Sequence, residues 1–266
     1  GDATDARAVD RSRHKRMLPF IGAQTISLGG LTIQVWGTFV AAGFFLGAWI
    51  AARRARSKGL SSDHVWTMAG WMFIAAMVGA RAFHVLVYEP GYYLAHPWEA
   101  LDPRLPGYAM TGGFLGAAAV FFWYVLRYAL AWVAYADTLI WGLPWGCGVG
   151  RIGCFLIHDH PGTLSNGLLS VRYPDGQSRH DLGLYLSLVG FATGLLFLWL
   201  HRKPRPPGFW FSLFLLIEGI SRLLLDSLRI ADQRYFALTP AQWFGLVFMG
   251  LGVWGLLRTR ERRAVL

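Results

Sequence analysis

Charge is what this 266-residue sequence has least of: 15% of its residues are Asp, Glu, Lys or Arg, and its 15 acidic residues are outnumbered by 25 basic ones. A chain that is also 55% hydrophobic is not a disordered or solvating segment. Cysteine is scarcer still. Cys147 and Cys154 are the only two, too few for a disulfide framework. Seven residues of helix would hold them about 10 Å apart, beyond the reach of a bridge, so they indicate no redox compartment. No internal repeat or low-complexity tract stands out. The polar start lacks an apolar core of the signal-peptide kind; residues 1–17 read as a basic leader, in part an added segment, and are set aside from the fold. Residues 18–266 then form a single membrane domain.

What the sequence has is apolar length. Several runs approach the ~20 residues that cross a ~30 Å hydrocarbon core. The spacing predicts seven spans, at about Val35–Ala52, His64–Tyr88, Thr111–Arg127, Trp132–Gly150, Leu182–Leu200, Phe209–Leu225 and Pro240–Leu257. Leu18 to Ile33 reads as a weak amphipathic patch. The connection from Glu89 to about Gly107, rich in Tyr, Trp and Pro with Arg104 as its one base, suits an interfacial half-helix. The longest excursion, about 151–181, is a small head whose turn signals bracket one hairpin arm, Gly167 to Tyr173. The fold class is therefore an all-α polytopic membrane protein. Basic runs follow spans one, five and seven, which the positive-inside rule makes cytoplasmic, leaving the N-terminus outside; Arg7 to Arg16 alone stands against this. The net charge of +10 sits in short runs between spans, a topology signal rather than a nucleic-acid footprint.

The chain is organised around Pro144 to His160. Gly146 and Gly150 leave a bare helix face that another backbone or a ligand can approach closely, and Arg151 follows directly. A guanidinium there is costly in hydrocarbon and marks a polar cavity or substrate path. Unusual polar residues converge on the same outer half: Arg81, Thr111, Arg151, His158, Asp159, His160, Arg179, His180, Asp181, Arg222, Asp226, Arg229 and Asp232. Arg222, Asp226 and Arg229 share one helix face and can pair as Arg–Asp–Arg. Gathered arginines suit a phosphate diester, since each offers a planar fork for anionic oxygens. His158 and His160 would point the same way in an extended stretch, with His180 nearby, but no second compact ligand pair exists. Neither metal nor cofactor is expected. His84 and His96 read as membrane-interface residues.

These motifs in order resemble the bacterial prolipoprotein diacylglyceryl transferase family over about residues 28–257. Gly79-Ala80-Arg81 with Tyr88 and Tyr92-Tyr93-Leu94-Ala95-His96-Pro97 resembles its second-span end and connection. Gly112-Gly113-x-x-Gly116 resembles the glycine pair opening span three. Gly148-x-Gly150-Arg151-Ile152-Gly153-x-Phe155 resembles the signature Gly-Arg-Ile-Gly-Asn-Phe. Glu218-Gly-x-x-Arg222-x-x-x-Asp226-x-x-Arg229-x-x-Asp232 resembles the sixth-span pattern, and Gln242 the glutamine opening the last span.

The resemblance implies a transferase that moves a diacylglyceryl group from phosphatidylglycerol, or a related phospholipid, to the lipobox cysteine of a lipoprotein precursor, in the bacterial inner membrane with its site facing outward. It implies Arg151 and Arg222 on the phosphate, His158 or His180 as base, and Asp159 or Asp226 orienting a base or an arginine. Arg81, Thr111, Gly112, Gly113, Cys154, Arg229 and Gln242 would line the substrate site. The chain departs from the pattern where Thr111 stands for a histidine, Trp36 for a tyrosine, Cys154 for an asparagine, and Asp159 and Asp226 for glutamates. Open beside this reading stand a related membrane lipid transferase or hydrolase with another acceptor, such as a different lipid or peptide or water, and a non-catalytic lipid-binding protein.

Overall fold

Glycine decides where the helices of this chain meet. The computed structural model describes residues 17–264 except 30, 103, 104, 106 and 231. The leader up to residue 16, and Arg104, therefore lie outside the described residues. In chain order the helices are α1 (Val35–Ser57), α2 (Ser62–Phe83), a short α3 (Pro90–Ala95), α4 (Met110–Arg127), α5 (Trp132–Ile157), α6 (Leu182–Leu200), α7 (Phe209–Leu225) and α8 (Pro240–Ala264). A π-helical turn, His84–Tyr88, extends α2, so that one apolar segment runs from Ser62 to Tyr88. Among the described residues six helices are long and apolar enough to cross a membrane. The seventh long one, α7, has 17 residues and carries Glu218 and Arg222. The chain is a polytopic helical membrane protein.

The closest approach is between α1 and α5. A Cβ at Gly146 would stand 2.6 Å from the Gly43 carbonyl oxygen, and one at Gly47 would stand 3.1 Å from that of Gly142. The bare face expected at Gly146 and Gly150 is thus filled by backbone. Gly79 on α2 faces Gly112 on α4, Gly190 on α6 faces Pro144 and Gly148 on α5, and Gly219 on α7 faces Gly245 on α8. Apolar side chains gain little from leaving lipid for a helix interface, so this dense backbone contact is what holds such pairs.

Helix ends find their partners across the bundle. The α7 N-terminus has no cap of its own after Gly208; Asp137 on α5 accepts from Gly208 N (2.7 Å) and Phe211 N (2.9 Å) instead. Beside it the Arg54 guanidinium lies 3.6 Å over the Trp141 ring and 5.6 Å from that of Trp210. The opposite end carries the head.

There the structure corrects two expectations. Leu18 to Ile33 is strand rather than an amphipathic patch: β1 (Leu18–Pro19) joins the head, and β2 (Thr25–Leu28) pairs antiparallel with β3 (Leu31–Gln34). Alternating Thr25, Ile26, Ser27 and Thr32, Ile33, Gln34 is a period-two pattern, too short to propagate a helix. The head also begins at His158, not Arg151. Helix α5 runs to Ile157 because Gly153 packs under Trp36 and Phe39, and it stops where His158 turns left-handed at φ 51°. Its strands β4 (Pro161–Leu164), β5 (Val171–Arg172) and β6 (Ser178–Asp181) form a sheet of order β1-β5-β6-β4, with β1 parallel to β5 and the rest antiparallel. The expected hairpin arm is present only as β5, which turns at Pro174-Asp175-Gly176 into β6. The connection expected to lie on the membrane surface holds α3 and a 3-10 turn, Pro97–Leu101.

Replacing Gly146 by Ala should lower stability by about 1–3 kcal/mol, since the partner is backbone and cannot move aside. Gly70→Ala, where a Cβ meets nothing within 4 Å, should leave it unchanged or slightly raised. Thermal unfolding of the two variants in detergent makes the comparison.

Candidate functional site

Between the helices lies a cavity of about 1180 Å³. Its long wall follows α1 from Trp36 to Ala51, about 22 Å at the helical rise. Phe44, Met72, Phe73, Leu139 and Ile140 make most of the surface apolar. Polar groups gather at the end beneath the head: Arg151, Cys154, Asp159, His160, Glu218, Arg222, Asp226, Arg229 and Asp232.

Arg151 is held in an unusual way. Its Nη2 lies 3.0 Å from the Met110 Sδ and its Nη1 3.7 Å from the Cys154 Sγ. Among the described residues no carboxylate comes within ion-pair distance of it. Thioether and thiol sulfurs are weak acceptors, so most of the guanidinium's capacity to bind an anion is unused. Arg222 differs: Nε and Nη2 both reach Glu218 Oε1, at 2.7 and 2.5 Å. Of the pairing expected along Arg222, Asp226 and Arg229 only the Asp226–Arg229 half forms, because α7 ends at Leu225 and a 3-10 turn, Asp226–Leu228, follows. Asp226 accepts from the Thr239 hydroxyl, while Arg229 holds Asp232 at 2.8 Å and Asp226 at 3.9 Å.

Thr111, buried at the start of α4, also lines the cavity. Asp159 and His160 stand at its mouth and pair through the His160 Nδ1. The left-handed His158 brings them there, turning the chain back over the end of α5. Side-chain donor atoms of Cys154, Asp159 and His160 lie within 4.8 Å of one another.

The other expected residues fall elsewhere. His158 points away from the cavity into the head, with Nδ1 2.6 Å from Asp181 Oδ2 and Nε2 accepting from Ile21 N at 3.2 Å. Both ring nitrogens are committed, the ring stacks on Phe20, and imidazole and carboxylate are buried. Tyr173 donates to the same carboxylate at 3.1 Å, and burial beside Asp181 pushes its phenol pKa up. His180 on β6 pairs with the Tyr185 hydroxyl at 2.6 Å, so the His158, His160 and His180 set considered for a metal is not gathered. Arg81 donates to the carbonyls of Ala100, Glu99 and Gly107 at 3.1, 2.7 and 3.2 Å, tying the 89–110 connection to α2. Gly112 packs on Gly79, and Gly113 on Ala76 and Ala80. Gln242 accepts from Thr239 N and donates to Leu223 O, locking the α7–α8 joint. His84, expected at the interface, lines the cavity instead.

Sequence reasoning named His160 only among the converging polar groups and Glu218 and Tyr88 only within motifs, and it passed over Met110. Glu218 carried a readable signal, being four residues before Arg222. Met110 carried none, since a thioether facing a guanidinium has no spacing rule.

Comparison with known proteins adds kinship to this geometry. A family model described as prolipoprotein diacylglyceryl transferase matches residues 23–258. The phosphatidylglycerol–prolipoprotein diacylglyceryl transferase of Tolumonas auensis is 30% identical over 249 residues, 90% of this chain and 96% of its own. Proteins of the same name are 31% identical in Nitrosomonas europaea, over 86% of each chain, and 31% identical in Cupriavidus metallidurans, over 88% of this chain and 93% of its own.

Because Asp181 is fully buried against His158, His158→Ala should destabilise the head by about 3–5 kcal/mol, the usual cost of stripping a buried charge of its partner. Loss of folding yield or a large drop in the thermal midpoint, as opposed to loss of turnover in a stable protein, checks this.

Proposed function

The chain belongs to the prolipoprotein diacylglyceryl transferase family, and from that membership we propose that it transfers a diacylglyceryl group from phosphatidylglycerol to the lipobox cysteine of a lipoprotein precursor. The observation that carries the proposal is Arg151, a guanidinium met by sulfurs at the polar end of a lipid-sized cavity. The acyl chains lie along the apolar wall of α1. The phosphodiester sits at the Arg151 end, with Arg222 on its other side, positioned by Glu218.

The chemistry is displacement at the glycerol carbon that bears the phosphate. The acceptor thiolate forms a C–S bond as the C–O bond breaks, and glycerol phosphate leaves with the electron pair. Charge grows on the leaving phosphate, so fixed guanidinium donors stabilise the transition state more than the bound lipid. The Asp159–His160 pair at the mouth takes the thiol proton, with Asp159 holding Nδ1 and leaving the other ring nitrogen for the acceptor. This moves the base to His160, which lines the cavity, from His158, both of whose ring nitrogens have partners in the head, and from His180, which pairs with Tyr185 away from the cavity.

The basic runs at the C-terminal ends of α1 and α8 and after α6 face the cytoplasm, which puts the head and the polar end of the cavity outside the inner membrane. A precursor anchored in the same membrane presents its cysteine at that level.

Mass spectrometry of the purified protein incubated with phosphatidylglycerol and a lipobox peptide tests the reading. A diacylglyceryl thioether with release of glycerol phosphate is expected. Phospholipid consumed with the peptide unmodified would replace the acceptor, and full activity in both Arg151→Ala and Arg222→Ala would sink the phosphate site. Each variant should instead lose about 10²–10³ in rate while unfolding like the parent. Arg151→Lys should recover only part, because an ammonium lacks the planar fork.

His160→Ala should slow transfer by about 10²-fold or more. His180→Ala should change it little, and comparison of initial rates separates the two.

A further inference from the structure

Cys154, Asp159 and His160 bring a sulfur, a carboxylate oxygen and a ring nitrogen together at one point of the cavity mouth. They arrive from two directions. Cys154 is fixed on the last turns of α5 and buried, while Asp159 and His160 lie beyond the left-handed His158, which folds them back over it. We propose that these three residues form a binding site for a thiophilic divalent cation of the zinc class, and that its occupancy holds transfer off.

Geometry permits it. Donors bonded to zinc at ~2.0–2.3 Å in a tetrahedron stand about 3.3–3.8 Å apart. The three donor atoms already lie within 4.8 Å of one another, so a shift of about 1 Å closes the set. Asp159 is exposed and His160 half-buried, and side-chain rotation of the pair supplies that movement. Among the described residues His160 Nε2 has no hydrogen-bond partner.

The donor set also chooses its cation. Thiolate and imidazole favour zinc or cobalt over magnesium or calcium, which prefer all-oxygen shells. A thiolate and a carboxylate together neutralise a doubly charged ion. The neighbouring guanidinium is compatible with this: Arg151 Nη1 points at the Cys154 sulfur, the position from which an N–H donor steadies a metal-bound thiolate. The fourth position faces the cavity, as in zinc sites with three protein ligands and one open place.

The inhibitory part rests on the proposed reaction. A cation that ties up the Asp159–His160 pair removes the acceptor's base and crowds the approach to Arg151. Binding itself can be read without turnover, so the two parts fail separately.

The test is titration of the purified full chain in detergent with Co²⁺, whose thiolate complexes absorb in the near ultraviolet and whose tetrahedral complexes absorb intensely in the visible. One cobalt per chain, a thiolate charge-transfer band and its displacement by Zn²⁺ are expected. Cys154→Ser should abolish the band, His160→Ala should weaken binding at least tenfold, and Cys147→Ser should retain both. His160 lies outside the helices, so its variant carries the test if Cys154→Ser fails to fold. A wild-type protein with no thiolate band, or an unchanged band in Cys154→Ser, overturns the site. Zinc at one equivalent should lower transfer several-fold and a chelator restore it; saturation with undiminished transfer overturns the inhibitory role.

Discussion

Among the described residues the apolar bundle accommodates the guanidinium groups of Arg54, Arg81, Arg151 and Arg222, each in its own way. Arg54 lies over indole rings, its charge spread against two aromatic faces. Arg81 is wrapped in backbone carbonyls from the connection that it holds in place. Arg222 donates both bonds to one carboxylate oxygen on its own helix. Arg151 has two sulfurs. Burying charge in hydrocarbon costs several kcal/mol unless a partner is supplied, and three of the four bring theirs with them. The fourth has only weak sulfur acceptors, and the proposed function assigns it the phosphate of the lipid.

That architecture is built in pairs. Glycine contacts fuse α1 to α5, α2 to α4 and α7 to α8 at backbone distance, and α6 closes onto α5 in the same way. At these glycines backbone meets backbone, so a larger residue has little that can move aside for it. The cavity occupies the space left between pairs, and Phe44, Phe73 and Leu139 line it. The head closes the polar end by a different chemistry, a buried histidine–carboxylate pair reinforced by a tyrosine hydroxyl and a backbone amide.

Much of this could be read from the chain. Apolar length gave the long helices, Gly146 and Gly150 the close face, and Arg151 the polar end of the cavity. What could not be read depended on where a helix stops. The spacing of Arg222, Asp226 and Arg229 describes one face only if the helix continues, and α7 ends at Leu225. His158 in an extended chain would lie beside His160; in the left-handed conformation it turns the other way and enters the head. Both errors come from assuming a period past the point where the backbone abandons it. The strands of the N-terminal hairpin were missed because four-residue runs carry too little pattern to outvote a hydrophobic average.

The π-turn at His84–Tyr88 sets a counting rule for the chain beyond it. Such a turn holds one residue more than an α-turn. Removing a single residue there would restore an ordinary turn of nearly the same rotation and rise, but it would take one position from the stretch that brings Tyr88 and Glu89 to the cavity wall. It would also displace the Val87 and Tyr88 carbonyls that receive Tyr235 and Gln233 from the loop before α8. Length in this stretch is therefore tolerated less well than side-chain identity: a substitution alters one group, whereas a deletion would remove a wall position and unseat the loop together.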